Sequence, residues 1–495
     1  MRSGDGERSG DGVWSGDGAP SGDGAPSGDG APDDHGVRSG DSEGWRVRGR
    51  CRTAWRRRSG ARRGRPAVAV RVGAAAVVLG TTAAMVPGQA SAAAGQASGT
   101  PSPYAFAHGA RPVQGARSTG DADLLKPGEA YKSTLPGNGK VNYRLDLDAT
   151  SNAYVSVTAV PSPDSTVSVI DGIKVTVQDA EGNTCSDDNT SFGAARSPHP
   201  VAAWGMREIS PNRPLCKKAG AYYVSVERID PQGEGSSPDA WDLELVAMTE
   251  PRTVRSGATS APEVWNSATP QPLQGEAEHR KGGAGFTGAT PLDQGVWRDD
   301  IRPGQTLFYE VPVEWGQQIS VAADLGSSGT GATGYTPDAL DLTLYNPARG
   351  EVADVGVGYN GGQNSRSLPP LPPVDHANRH AATAQVSAMR FAGSYYLVAH
   401  LSEAVADTFG DGPFKMTLRV TVSGEPRRGP EYVGESVPAG VFEVSDEDRE
   451  AAAEGVTAGD DTAMRALAVG GIGTGSALLV GLGVWSLVAR RRSVA

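Results

Sequence analysis

The chain has 495 residues, a formal net charge of −11, 67 Gly, 35 Pro and only 6% aromatic residues. So few aromatics exclude one large core and fit several small domains joined by loops. Setting aside the +4 of residues 1–92 and the +4 of 465–495 leaves −19 over 93–464, which argues against nucleic acid and anionic lipid as partners of that region.

Residues 1–66 read as an arm. Residues 3–32 repeat SGDGER, SGDGVW and SGDGAP, and ten arginines follow between Arg46 and Arg65. A tract with so little to bury is expected to be disordered, and it reads either as a spacer or as residues ahead of the true start. Next come the apolar run Val72–Val86 and the small-residue site Ala90-Ser91-Ala92. Basic region, apolar core and A-x-A site predict a secretory signal peptide over 67–92, cleaved at Ala92 and using the general secretion route. Residues 93–118 read as a disordered linker.

From 119 to 250 the pattern is that of strands. Val141, Tyr143, Leu145 and Leu147 alternate with polar residues, as do Ile173, Val175 and Val177, and Trp241, Leu243, Leu245 and Ala247. Period two over five to seven residues, with Gly, Pro, Asp and Asn between runs, predicts half-buried strands joined by turns. Cys185 and Cys216 are the two cysteines on the exported side and predict a disulfide. The other reading is a metal pair with His199 as a third ligand, but the spacing fits no zinc pattern. Residues 251–290, rich in Gly, Ala, Thr and Pro, read as a linker that lets its two neighbours reorient. The strand pattern resumes over 291–425. Residues 426–464 read as a polar stalk containing the helix-prone Asp446–Gly455. Ala466–Ala489 carries no charge and is followed by Arg490, Arg491 and Arg492. This predicts a transmembrane helix over 465–490 and a cytoplasmic tail over 491–495, hence a single-pass type I protein of the cell membrane with an extracellular ectodomain.

The two strand-rich stretches are copies of one another. "VNYRLDL" (141–147) faces "LFYEVPV" (307–313), "IKVTVQDAEGNT" (173–184) faces "LDLTLYNPARGE" (340–351), and "GAYYVSVERI" (220–229) faces "GSYYLVAHLS" (393–402). Six such blocks recur in one order, which marks an internal duplication. The expected fold class is all-β: two tandem antiparallel β-sandwiches, with Tyr143, Tyr222, Tyr309 and Tyr395 as shared core.

The order of these strands resembles the bacterial pre-peptidase C-terminal domain, most closely in "GQTLFYEVPVEWGQQISVAADL" (304–325) and "GSYYLVAH" (393–400). The resemblance covers about 250 residues, as two copies. It implies jelly-roll-like sandwiches of a secreted surface protein, serving binding or targeting rather than catalysis. The chain departs from the family's usual setting in having no recognisable peptidase domain beside them. The Ala/Gly/Arg-rich composition points to a Gram-positive, actinobacterial-type source.

Two insertions, 185–216 and 356–385, fall in equivalent places before the paired-tyrosine strands. They read as recognition loops or as padding. In the second, Leu368, Pro369, Pro370 and Leu371 favour an extended polyproline conformation, and with His376 and His380 they form the candidate binding loop. His376 and His380 stand four apart, but Ala377 occupies the place where a metalloprotease helix carries Glu. No G-x-S-x-G elbow occurs in the ectodomain, and Asp187, Asp188 and Asn189 lack the spacing of a calcium loop. The sequence therefore predicts no catalytic residue, no cofactor and no metal. It predicts a surface-anchored, non-catalytic binding or scaffolding protein of the bacterial envelope, with an envelope protein or glycan as partner and the membrane engaged through the C-terminal helix. Two other readings stay open: an accessory subunit of a membrane-associated secretion or peptidase complex, and a secreted hydrolase with an unfamiliar site.

Overall fold

A computed structural model describes residues 103–455, apart from 211–212, 230–234, 256, 269–270 and 272. The signal peptide with its site at Ala92, the transmembrane helix and the tail lie outside the described residues. Among the described residues no helix is long and apolar enough to cross a membrane.

The first half contains β1 (Arg111–Pro112), β2 (Ala130–Leu135), β3 (Lys140–Leu147), β4 (Asn152–Val160), β5 (Gly172–Asp179), β6 (Thr184–Ser191), β7 (Val201–Arg207), β8 (Gly220–Ile229) and β9 (Trp241–Glu250). The second contains β10 (Glu278–His279), β11 (Thr290–Pro291), β12 (Gly295–Ile301), β13 (Thr306–Val313), β14 (Gln318–Leu325), β15 (Thr336–Tyr345), β16 (Glu351–Tyr359) and β17 (Asn364–Ser367). There follow α1 (Ala384–Ala388), β18 (Gly393–Leu401), α2 (Ala404–Phe409), β19 (Phe414–Ser423) and α3 (Asp446–Glu454).

Each half folds as two facing sheets. Their orders are β1-β2-β9-β4-β7 and β3-β8-β5-β6 in the first, and β10-β12-β19-β14-β17 and β11-β13-β18-β15-β16 in the second. The architecture is the expected all-β one, and the repeat extends to register. Leu145 faces Tyr222 as Val311 faces Tyr395, and Leu147 faces Gly220 as Val313 faces Gly393. Both glycines open their strand at positive φ, +149° and +129°, where other residues are strained. The four tyrosines are buried, and their hydroxyls are satisfied in matching ways. Tyr222 and Tyr395 donate to the carbonyl four residues upstream, at 2.7 and 2.8 Å. Tyr143 donates to Ser133 and Tyr309 to Asp299, at equivalent places on β2 and β12. Buried hydroxyls need such partners, so this pattern comes with the core it occupies.

The disulfide is present. Cys185 on β6 is bonded to Cys216, with Cα atoms 5.8 Å apart. The first insertion is not a free loop, because it contributes β6 and β7, which widen one sheet each. The second insertion is likewise structured. Leu368 and Leu371 are buried in the core of the second sandwich, Pro369 is exposed and Pro370 half-buried. The apolar half of the expected recognition surface therefore faces inward, because a solvated Leu-Pro-Pro-Leu would forgo the burial of two leucines.

The sandwiches do not reorient about a loose linker. The outer face of β4, β7 and β9 lies against the outer face of β13, β15 and β18. Tyr154, Trp204, Val246 and Met248 pack on Ala348, Phe391 and Phe442, while Ala202 packs with Phe286, Phe308, Tyr345 and Val398. Gly350 lies so close under Trp204 that an added Cβ would sit 2.4 Å from the ring. Both stretches read as linkers contribute to the sandwiches: β1 falls within 93–118, β10 within 251–290, and β11 straddles the end of the latter. The described part of the supposed stalk, 426–455, folds back on the body. Val437 bridges Thr249 and Tyr432 bridges Thr253, while Phe442 is buried with its ring stacked 4.4 Å from that of Phe391. This region is polar overall, but its few apolar residues have a surface to bury against.

Candidate binding cleft at the seam

Three buried ion pairs cross the seam among the described residues, each with Glu from the first half and Arg from the second. Arg349 donates to Glu244 at 2.5 Å, Arg379 to Glu250 through two nitrogens at 2.7 and 3.2 Å, and Arg390 to Glu208. Glu244 also accepts from the Tyr104 hydroxyl at 3.1 Å and the Ala107 amide at 2.7 Å. Glu250 also accepts from Asn152, Tyr154 and Tyr432, at 2.8, 2.8 and 2.9 Å. Burial pushes the Glu250 carboxyl up, but the Arg379 charge and hydrogen bonds, His376 and Asn152 outweigh it and hold the group at about 2. Carboxylates so fully hydrogen-bonded fix the relative position of two sheets.

Two histidines close the same seam near one end. The rings of His199, from the turn before β7, and His400, on β18, stack 4.2 Å apart. His400 Nε2 lies 2.8 Å from Ser197 Oγ, and its Nδ1 lies 3.0 Å from Thr306 Oγ1. Burial lowers both histidines, His199 to about 4. The Ser197–His400 contact has the look of a nucleophile and base. Ser197 is fully buried, however, its oxygen also accepts from the Glu403 amide, and Thr306 rather than a carboxylate orients the imidazole. This pair is placed to join the sandwiches, not to meet a substrate.

Beside the histidines the seam opens into a cleft of about 950 Å³. The N-terminal arm supplies Tyr104 and Phe106, the β4–β5 loop supplies Pro161 and Pro163, the turn before β7 supplies Pro198 and Pro200, and the β12–β13 turn supplies Pro303. The arm is held in place by Ala105 donating to the Ala284 carbonyl at 2.9 Å. Proline fixes the backbone of each wall without adding a donor, so the walls are stiff and mostly apolar. The charged lining residues are Lys132, Asp164, Asp242 and Glu403. Lys132 is already engaged, 2.9 Å from Asp242 and 4.1 Å above the Phe106 ring. Asp164 and Glu403 have no cation partner among the described residues. Burial and the nearby Asp407 raise the Glu403 carboxyl. An apolar concavity with a few polar groups at a junction of two domains is the usual form of a binding site.

The sequence-based candidates lie elsewhere. His376 and His380 belong to a short 3-10 turn capped by Asp375, on a smaller hollow of about 470 Å³ shared with Arg213, Arg252 and Arg379. His376 lies 3.7 Å from Glu250, and burial, then Arg379, lowers it to about 4. None of the four repeat tyrosines, nor Leu368 or Leu371, lines the seam cleft. Sequence reading missed Tyr104, Phe106, Asp164 and Glu403 because they come from three separate segments. The only local signal was the concentration of prolines around 161–163 and 198–200.

No family model matches the sequence, and no curated protein does. Among solved structures the chain is similar to the pre-peptidase C-terminal domain of collagenase from Bacillus anthracis, at 15% identity over 26% of this chain and 94% of that one, with a TM-score of 0.16. It is also similar to the CBM22-1–CBM22-2 tandem domain of Paenibacillus barcinonensis Xyn10C, at 9% identity over 61% and 93%, with a TM-score of 0.16. At these scores neither likeness carries an argument about this chain.

Proposed function

We propose that the chain is a non-catalytic binding protein of the bacterial envelope, anchored through 465–490, and that it takes its ligand in the seam cleft. The observation that carries this reading is the cleft itself: an apolar concavity of about 950 Å³ between two sandwiches that buried Arg–Glu pairs lock together. A site made by a rigid junction loses little on ordering when a ligand arrives. Membrane anchoring rests on the uncharged apolar run and the three arginines after it.

Ala240 is exposed at the rim of the cleft, so a bulky side chain there fills the space without entering a core. Full-length Ala240→Trp is expected to keep the parent's melting temperature and to lose most of its capture of envelope fractions. Equal capture by the variant and the parent would contradict the assignment to the cleft.

A further inference from the structure

We infer, resting on the cleft being the binding site, that its ligand is an extended basic peptide segment whose Arg or Lys meets Asp164 and Glu403 while its apolar residues lie along the proline walls. Charge complementarity favours this class. Three carboxylates line the cleft against one lysine, and that lysine is paired with Asp242. Asp164 and Glu403 are left to balance a charge brought in from outside, and a cation shielded by apolar walls meets them in a less screened setting than on open surface.

The same lining disfavours a neutral glycan. Stacking on a sugar needs an open aromatic face, and little of that is on offer here. One face of Phe106 is covered by the Lys132 ammonium. Tyr104 meets Phe106 and Phe308 edge to face and spends its hydroxyl on Glu244. No Asn, Gln or Trp lines the cleft among the described residues. Prolines, by contrast, give stiff ridges for an extended backbone. The volume suits a short segment and excludes a folded domain.

The test uses the full chain and fluorescein-labelled octapeptides, one alternating Arg and Pro and one alternating Glu and Pro, with a neutral hexasaccharide as the third probe. The Arg-Pro peptide is expected to bind, to weaken steeply as salt rises, and to lose at least about tenfold in affinity to the double variant Asp164→Asn/Glu403→Gln, which keeps shape and removes charge. Ala240→Trp is expected to abolish binding, and the Glu-Pro peptide to show none. Equal binding of the Arg-Pro peptide to parent, double variant and Ala240→Trp would mean diffuse attraction to an acidic protein and would overturn the inference. Binding of the hexasaccharide but not of the Arg-Pro peptide, lost in Ala240→Trp, would overturn the peptide class and leave the cleft as the site. If no probe binds, the peptide class fails. Envelope capture then decides the rest: loss in Ala240→Trp keeps the cleft reading, and unchanged capture ends it.

Discussion

Glu244 carries much of the logic of the molecule in one side chain. It stands on β9 between the apolar neighbours Leu243 and Leu245, and a strand of period two would place it in solvent. Instead Arg349, Tyr104 and the Ala107 amide converge on it, and it is fully buried. Arg349 reaches it from a tight turn in which its φ is +58° and Asn346 accepts from the Ala348 and Gly350 amides. Removing one partner leaves a buried charge alone. Arg349→Met is thus expected to cost about 3–5 kcal/mol in urea unfolding, and the double variant Arg349→Met/Glu244→Met to recover most of it. A double variant as unstable as the single one would show that the pair is not the unit. Nearby, burial first and Asp354 second raise both Asp341 on β15 and Glu351 on β16 to about 7. Unfolded, these groups ionise near their ordinary values, so the folded protein holds extra protons between about pH 4 and 7. The associated stability is full below the unfolded pKa and is lost as pH rises through the folded one. Asp341→Asn removes that loss. Its melting temperature should exceed the parent's at about pH 8, and the gap should close below about pH 4. A gap that did not change with pH would contradict the assignment.

At the scale of elements, strands with one wet face are legible from alternation and those with two dry faces are not. The alternation of β3 and β5 marks their inner residues correctly. In β4 the same alternation assigns Tyr154, Ser156 and Thr158 to solvent, yet all three are buried against the second sandwich. Nothing within nine residues can reveal a partner that arrives from the other copy. The sequence "TCSDDNTS" gave no strand signal. It forms β6 because the ladder to β5 and the bond from Cys185 to Cys216 hold it, not because it buries a face. The segment after β19 was misjudged for the opposite reason. Its polarity is real, but Phe442 anchors it to Phe391 and Tyr154. Phe442→Ala is expected to cost about 3–5 kcal/mol, the usual range for emptying a buried aromatic site. A cost below about 1 kcal/mol would return the segment to the role of a loosely attached stalk.

For the whole molecule, duplication and fusion have separate consequences. Duplication gave two copies of one strand order, and the shared tyrosines record it in the sequence. Fusion gave a seam whose contacts are unique to each copy, so comparison of the halves hides it: His400 aligns with Glu227, and only His400 meets the other sandwich. The cleft belongs to the seam, which is why the candidate loop at 368–380 drew the sequence reading away from it. Deuterium exchange of the full chain, alone and with bacterial envelope extract, tests this placement most directly. A ligand held in the cleft should slow exchange at 103–106, 160–164, 198–200 and 303–306, the segments that wall it. Slowing confined to 364–380, with those four segments unchanged, would contradict it.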